Sequence, residues 1–280
     1  MNNRVLSGLG LDKQVRFYIV DSTELIKTVA KKNDASPLGA LALGKSVSIT
    51  GLMGLMLKGE EEITSIIEGD GPLGKIISIA NAKGETKASV TNPYVGLAKE
   101  EQNLTLANAV GEIGNIKVIK NLKLKEPFVS ETSIITGDIS PDFTYYFSYS
   151  EQTPTAISSS VIFDEELKVQ SGGALIVQLL PNASDQITEK LEEKVRELPS
   201  IAGLLKEMKL EQVLDILFAD DYLILAENNL TYHCGCSEER FINAIKLLPT
   251  SEIIDIKKEQ VTECVCNFCK EKYIIDTNKL

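Results

Sequence analysis

Cys234-Gly-Cys236 and Cys266-Asn-Phe-Cys269 hold four of the five cysteines in this 280-residue chain, and twenty-nine residues separate the two motifs. Thiolates are soft ligands, and four of them drawn from two short turns form the usual closed tetrahedral zinc site, with Zn–S distances of about 2.3 Å. A C-x-x-C turn directs both sulfurs at one ion, whereas C-x-C is a tighter chelate, so the two halves of such a site are unequal. The spacing predicts one zinc ion held by Cys234, Cys236, Cys266 and Cys269. The competing reading is two short disulfides, which need an oxidising compartment. A clamp of this kind marks residues 231–280 as a small C-terminal module.

Nothing in the sequence points to an oxidising compartment. Met1-Asn-Asn-Arg-Val-Leu6 has no apolar h-region and no small-residue cleavage site, so a secretory signal is not expected. Sparse, odd-numbered cysteines suit metal or redox chemistry in a reducing cell interior. The stretch from Leu38 to Leu57 is about long enough to span a bilayer, but it contains Lys45, Ser46, Ser48 and Thr50. Ser36 followed by Pro37 reads as a helix cap and first helical residue, so a buried helix is predicted there. The expected location is cytoplasmic, with no membrane association.

Charge narrows the partners. The formal net charge is −11. Residues 1–183 carry 17 basic and 21 acidic groups, residues 184–230 carry 5 and 11, and residues 231–280 carry 7 and 8. No segment has the positive field that a phosphate backbone demands, so nucleic acid is not an expected partner.

The patterning predicts an α+β fold. Val15, Phe17 and Ile19 alternate as a strand, and Asp21 to Glu24 resembles a capping box opening a helix through about Lys32. Further strands are expected at Ile63–Glu68, Lys75–Ala80, Ala88–Thr91, Ile116–Ile119, Ile134–Thr136, Val161–Phe163 and Ala174–Leu180. Ser140-Pro141 repeats the cap-then-proline signal before the apolar face of Phe143, Tyr146 and Phe147. Residues 1–183 are thus a mixed strand and helix core. From 184 to 230 the texture becomes a helical linker, with Ile187, Leu191, Val195 and Leu198 at steps of three and four. Pro199 stops that helix, Ser200 caps another bearing Leu204, Leu205 and Met208, and Val213, Leu214 and Leu217 mark a third. Short acidic helices of this kind depend on docking against a neighbour. One reading is an ordinary helical hairpin; the other is a segment that comes loose when its neighbour does.

Other motifs carry less. Gly69-Asp-Gly-Pro-Leu-Gly74 matches G-x-G-x-x-G, but a strand-like run follows it and no acid lies at 88–98, so a turn is predicted rather than a nucleotide site. The single histidine, His233, and the absence of G-x-S-x-G give hydrolase chemistry little support, and no enzymatic role is expected. His233 is an alternative zinc donor, and Cys264 a spare ligand, an exchange partner or a half-buried residue. Glu192-Glu193 and Asp220-Asp221 read as solvated acids. Four thiolates close the shell of a zinc ion, which leaves two uses, a structural clamp or an oxidant sensor.

His233-Cys-Gly-Cys-Ser-Glu-Glu-Arg240 with Cys266-Asn-Phe-Cys-Lys-Glu-Lys-Tyr273 resembles the redox switch of the 33-kilodalton heat-shock protein family. Ser36-Pro-Leu-Gly-Ala-Leu-Ala-Leu-Gly44, Gly69-Asp-Gly-Pro-Leu-Gly74, Ser150-Glu-Gln-Thr-Pro-Thr155 and Gly172-Gly-Ala-Leu-Ile-Val-Gln-Leu-Leu-Pro181 are similar to family segments too. The resemblance implies an α+β core, a helical linker and a C-terminal zinc module. It implies an ATP-independent holdase chaperone of the stress response, a monomer when reduced, that dimerises and binds unfolded or misfolded client proteins once oxidised. It implies zinc ligation by Cys234, Cys236, Cys266 and Cys269, and redox disulfides Cys234–Cys236 and Cys266–Cys269. Cys264 is an addition to the family pattern. The alternative is a constitutive structural zinc module that mediates protein–protein interaction.

Overall fold

Ser36 and Pro37 start the helix around which the first part of the chain is built. The Ser36 hydroxyl oxygen accepts the Gly39 amide at 3.1 Å, and proline's fixed φ suits the first turn. The helix that follows, α2 (Pro37–Gly54), is almost wholly buried. Its polar side chains find partners inside the protein. Ser46 and Ser78 hydroxyls meet at 2.7 Å, Thr50 and Ser65 at 2.6 Å, Ser48 and Ser22 at 2.6 Å, and Lys45 pairs with Asp138. Buried hydroxyls are costly without partners, so these pairs set how α2 sits on its neighbours. Gly51 completes the fit, because a Cβ there would lie 2.5 Å from Leu230 Cδ1. Among the described residues no helix is long and apolar enough to cross a membrane.

The structure, a computed structural model, describes residues 3–96, 104–181 and 183–280, and forms two compact units, Met1–Tyr232 and His233–Leu280. Short strands and helices interleave irregularly through the chain, and the fold is α+β as the patterning predicts. In the first unit, β1 (Asn3–Gly10), β2 (Val15–Asp21), β8 (Thr155–Phe163), β9 (Val169–Leu179) and β10 (Tyr222–Tyr232) pair antiparallel in the order β10-β1-β2-β9-β8. A second set, β3 (Glu62–Gly69), β4 (Lys75–Asn81), β5 (Glu85–Val90), β6 (Gly114–Asn121) and β7 (Phe128–Ser133), runs β7-β6-β3-β4-β5. The two sets join where Thr231 and Tyr232 pair parallel with Glu85 and Thr86.

Several expectations shift. The strand expected at Ile134–Thr136 ends instead at Ser133, as β7. Ser140 does not cap its helix. Asp138 occupies the cap position of α4 (Ile139–Tyr149), and Ser140 hydrogen-bonds Ser159 at 2.5 Å, because a buried hydroxyl beside β8 has a better partner there. Gly69 to Gly74 is the β3–β4 turn, held by bonds from Gly71 N–H to the Val110 carbonyl and from Leu73 N–H to the Ala109 carbonyl of α3 (Leu106–Val110). A strand follows it, so no helix terminus faces a phosphate.

The β1-β2-β9 sheet is covered on both faces. Val5, Val20, Ala174 and Ile176 pack with α2 and α1 (Thr23–Asn33) in the main core. The opposite face carries Leu6, Phe17, Ile19, Leu175 and Val177, and it is covered by α5 (Asp185–Glu197), α6 (Ile201–Glu207) and α7 (Leu210–Phe218). Ser184 caps α5, and Ser200 caps α6 as its position predicts. Leu191, Ile201, Leu210, Val213, Leu214, Leu217 and Phe218 are buried, and Phe17 and Phe218 rings lie 5.3 Å apart. The end of the expected helical linker is not helical. Ala219, at φ 53°, terminates α7, and residues 222–230 pair with β1 from Tyr222 opposite Gly10 to Leu230 opposite Asn3. The unpaired edge of β1 makes this pairing worth more than another helical turn. Arg4 ties the assembly together, with one nitrogen 2.7 Å from Glu211 of α7 and two on Glu227 of β10 at 2.6 and 2.8 Å.

Burial, reinforced by a 2.9 Å hydrogen bond to Asp215, pushes the Tyr222 phenol up to about 12 from an ordinary 10.0. Burial and the Glu151 carboxylate raise Tyr146 as well. A folded chain therefore keeps protons that the unfolded chain releases above pH 10, and their stabilisation is intact below that pH and lost as pH rises through the folded values. The urea midpoint should fall between pH 9 and pH 12 (about two units above the ordinary phenol value), and Tyr222→Phe should flatten that fall.

Candidate metal centre

Two tight turns carry the cysteines of the second unit. Gly235, between Cys234 and Cys236, has φ 61°, a conformation that glycine adopts without cost and other residues resist. Ser237 then caps α8 (Glu238–Ile245), its hydroxyl oxygen accepting the Arg240 amide at 3.3 Å. After α9 (Thr250–Ile256), β11 (Val261–Val265) and β12 (Lys272–Asp276) form an antiparallel hairpin. Its turn presents Cys266 and Cys269. The Cys266 amide donates to the Glu271 carbonyl, and the Lys270 amide donates back to the Cys266 carbonyl, both at 2.9 Å.

The two turns meet sulfur to sulfur. Cys234, Cys236, Cys266 and Cys269 place their sulfurs within 4.8 Å of one another. Cys234 Sγ lies 3.5 Å from Cys266 Sγ, and Cys236 Sγ lies 3.3 Å from Cys269 Sγ. Four sulfurs at about 2.3 Å from a tetrahedral ion stand about 3.8 Å apart, so this donor set fits zinc in number, chemistry and spacing. His233 and Cys264, the other candidate donors, are not in the group. Cys264 sits on β11 opposite Tyr273, and burial raises its thiol pKa.

The sulfurs differ in their surroundings. Cys266 is buried and the other three are half-buried. Burial works against the Cys266 thiolate, but backbone amides of Cys269 and Phe268 and the neighbouring thiols outweigh it and hold that thiol down at about 7. Burial pushes the Cys234 and Cys269 thiols up. Three like groups cannot all ionise cheaply beside a fourth without a cation among them.

Little else holds this unit together. Its buried apolar side chains among the described residues are Ile245, Ile275 and Cys266, while Leu247 is 87% exposed and Ile274 58%. A hydrophobic core of that size does not fold a segment of this length alone. Two aromatic residues beside the sulfurs were given no role from sequence. Tyr273 places its hydroxyl 3.2 Å from Cys236 Sγ, and Phe241 packs on the Tyr273 ring. An aromatic four positions beyond Cys269 was the signal available. Among the described residues, Glu193, Asp220 and Asp221 belong to no such metal-binding group. Asp221 accepts the Asp12 amide at 3.0 Å, and the Glu192 side chain lies outside the described residues.

Known proteins resemble this chain over nearly its full length. The family model described as Hsp33 protein matches residues 3–276. The 33 kDa chaperonin of Oceanobacillus iheyensis is 38% identical over 277 residues, covering 98% of this chain and 96% of that protein. The 33 kDa chaperonin of Staphylococcus aureus is 34% identical, covering 96% of this chain and 93% of its own. The crystal structure of the 33 kDa chaperonin (heat shock protein 33 homolog) from Thermotoga maritima superposes with a TM-score of 0.90 at 30% identity, covering 100% of this chain and 96% of that one. With a match that runs from the first strand through the cysteine hairpin, the chain belongs to the Hsp33 protein family.

Proposed function

We propose that this protein is a redox-regulated, ATP-independent holdase chaperone whose reduced form is kept inactive by a zinc centre of Cys234, Cys236, Cys266 and Cys269. The observation that carries the reading is the convergence of four sulfurs in a unit with almost no apolar core. The relatives' description as chaperonins supports the chaperone part. Bound zinc would keep the sulfurs as thiolates, cross-link the two turns and supply on the order of 10–16 kcal/mol of folding energy.

The chain's own residues do the rest. Oxidation of Cys234 with Cys236 and of Cys266 with Cys269 removes four electrons and every thiolate ligand, so residues 233–280 lose their cross-link. In the reduced cluster the 3.5 and 3.3 Å sulfur approaches run between the motifs, so pairing within each motif is tested on its own, by peptide mapping. β10 runs directly into Cys234 and carries the Glu227 that grips Arg4. Loosening β10 weakens the Arg4 tie to α7, and the acidic helices 185–218 leave the sheet. Leu6, Phe17, Ile19, Leu175 and Val177 then become a client surface, worth roughly 25 cal/mol for each Å² of apolar area it buries. The net −6 of residues 184–230 keeps the opened form soluble. The role needs no catalysis by the chain. It suits the cytoplasm, where these thiols stay reduced, with a monomer when reduced and a homodimer when oxidised.

The test adds hydrogen peroxide to reduced, zinc-loaded protein and follows zinc release, free thiols, sedimentation and suppression of client aggregation together. The expected result is release of one zinc per chain, loss of four thiols, and aggregation suppression that appears with them. Suppression equal in the reduced and oxidised forms would favour the constitutive structural module instead.

A further inference from the structure

The sulfur of Cys236 has a neighbour that is not a ligand. The Tyr273 hydroxyl oxygen lies 3.2 Å from Cys236 Sγ and 3.3 Å from the Cys236 carbonyl oxygen. The ring is held in place on two sides. Phe241 of α8 packs against it with centroids 5.2 Å apart, and the hairpin register sets Tyr273 opposite Cys264. A phenol has one proton to donate, and a bond to an anionic acceptor is about twice as strong as one to a neutral acceptor. When Cys236 is a thiolate, its sulfur therefore outcompetes its carbonyl for that proton.

We infer that Tyr273 is a positioning residue of the redox centre, donating a hydrogen bond to the Cys236 sulfur and lowering its reactivity toward oxidant. The inference rests on the thiolate centre proposed above. In the oxidation, the Cys236 sulfur attacks hydrogen peroxide; an S–O bond forms, the O–O bond breaks, and hydroxide leaves with the electron pair. A second ligand thiolate then attacks the sulfenic sulfur, the S–S bond forms, the S–O bond breaks, and a second hydroxide leaves. Both hydroxides take protons from buffer, and peroxide accepts the two electrons that the sulfurs lose. The electron density used in the first step is the density that the phenol proton engages. Cys236 must surrender this bond to react, so the hydroxyl sets an oxidant threshold without touching the metal.

The experiment uses the full-length, reduced, zinc-loaded chain as wild type, as Tyr273→Phe, and with 3-fluorotyrosine at position 273. Zinc per chain is measured first. A wild type without zinc sinks the metal-centre reading, which separates that failure from this one. Peroxide is then added, and Cys236 oxidation is followed by differential alkylation and mass spectrometry. Tyr273→Phe keeps the ring on Phe241 and should oxidise at Cys236 about tenfold faster, the lower end of what one lost bond to a charged group is worth. The fluorinated phenol is a stronger donor and should oxidise more slowly than wild type at pH 7. Hydrogen exchange across 233–280 should match wild type in both. Equal Cys236 rates in all three proteins would overturn the inference. So would acceleration matched by faster exchange throughout the unit, which would make Tyr273 a folding residue only.

Discussion

Cys266→Ser with Cys269→Ser should abolish zinc binding and unfold residues 233–280, while α2 and strands β3, β4 and β6 stay protected. Serine keeps the turn's size and polarity but offers no soft anionic ligand. What disappears is on the order of 10–16 kcal/mol of metal-linked folding energy. What remains is the burial of Ile245 and Ile275, worth roughly 1.5–3 kcal/mol each. The difference is too large for the β11–β12 hairpin and two short helices to recover. Metal analysis and hydrogen exchange on the reduced variant check the expectation: no zinc, amides of 233–280 exchanging at unfolded rates, and α2, β3, β4 and β6 unchanged. A metal-free variant with protected amides in 233–280 would mean that the sulfurs do not hold the unit closed.

The second large effect lies at the other end of the switch. Leu214→Asp should give a chaperone that is active without oxidant and still carries its zinc. Leu214 is fully buried in the cluster that α5–α7 share with Phe17, Ile19 and Val177. Removing a buried leucine side chain costs about 2–5 kcal/mol, and an unpaired buried carboxylate adds to that. Helices this short and acidic have no surplus to absorb such a loss, because docking supplies most of their stability. The sheet face beneath them would open while the four sulfurs remain in place. Client aggregation assays under reducing conditions, with zinc measured in parallel, would check it. An open linker with no gain in suppression would show that clients bind elsewhere.

The chain's chemistry was more legible than its architecture. Thiolate spacing in Cys234-Gly-Cys236 and Cys266-Asn-Phe-Cys269 is a local signal, and the sulfurs do converge. The cap at Ser36-Pro37 is equally local, and α2 begins where those residues place it. Strand β10 was hidden because its side chains are mostly exposed on both faces, which removes the period-2 pattern that marks a strand. Only the vacant edge of β1, far away in sequence, explains it. The hydroxyl pairs of α2 were invisible for the same reason, since Ser46, Ser48 and Thr50 look like defects in an apolar run until Ser78, Ser22 and Ser65 are brought beside them. Tyr273 stands a short step past Cys269 in the sequence, but its contact with Cys236 is made only once the fold brings the two turns together.

The most direct measurement is hydrogen exchange, resolved by segment, on zinc-loaded protein before and after peroxide. The account predicts that exchange accelerates first in 233–280 and then in 185–218, with α2 and the β3–β6 strands unchanged, and that client binding rises with the second phase. Client binding that appears while 185–218 stays protected would contradict it.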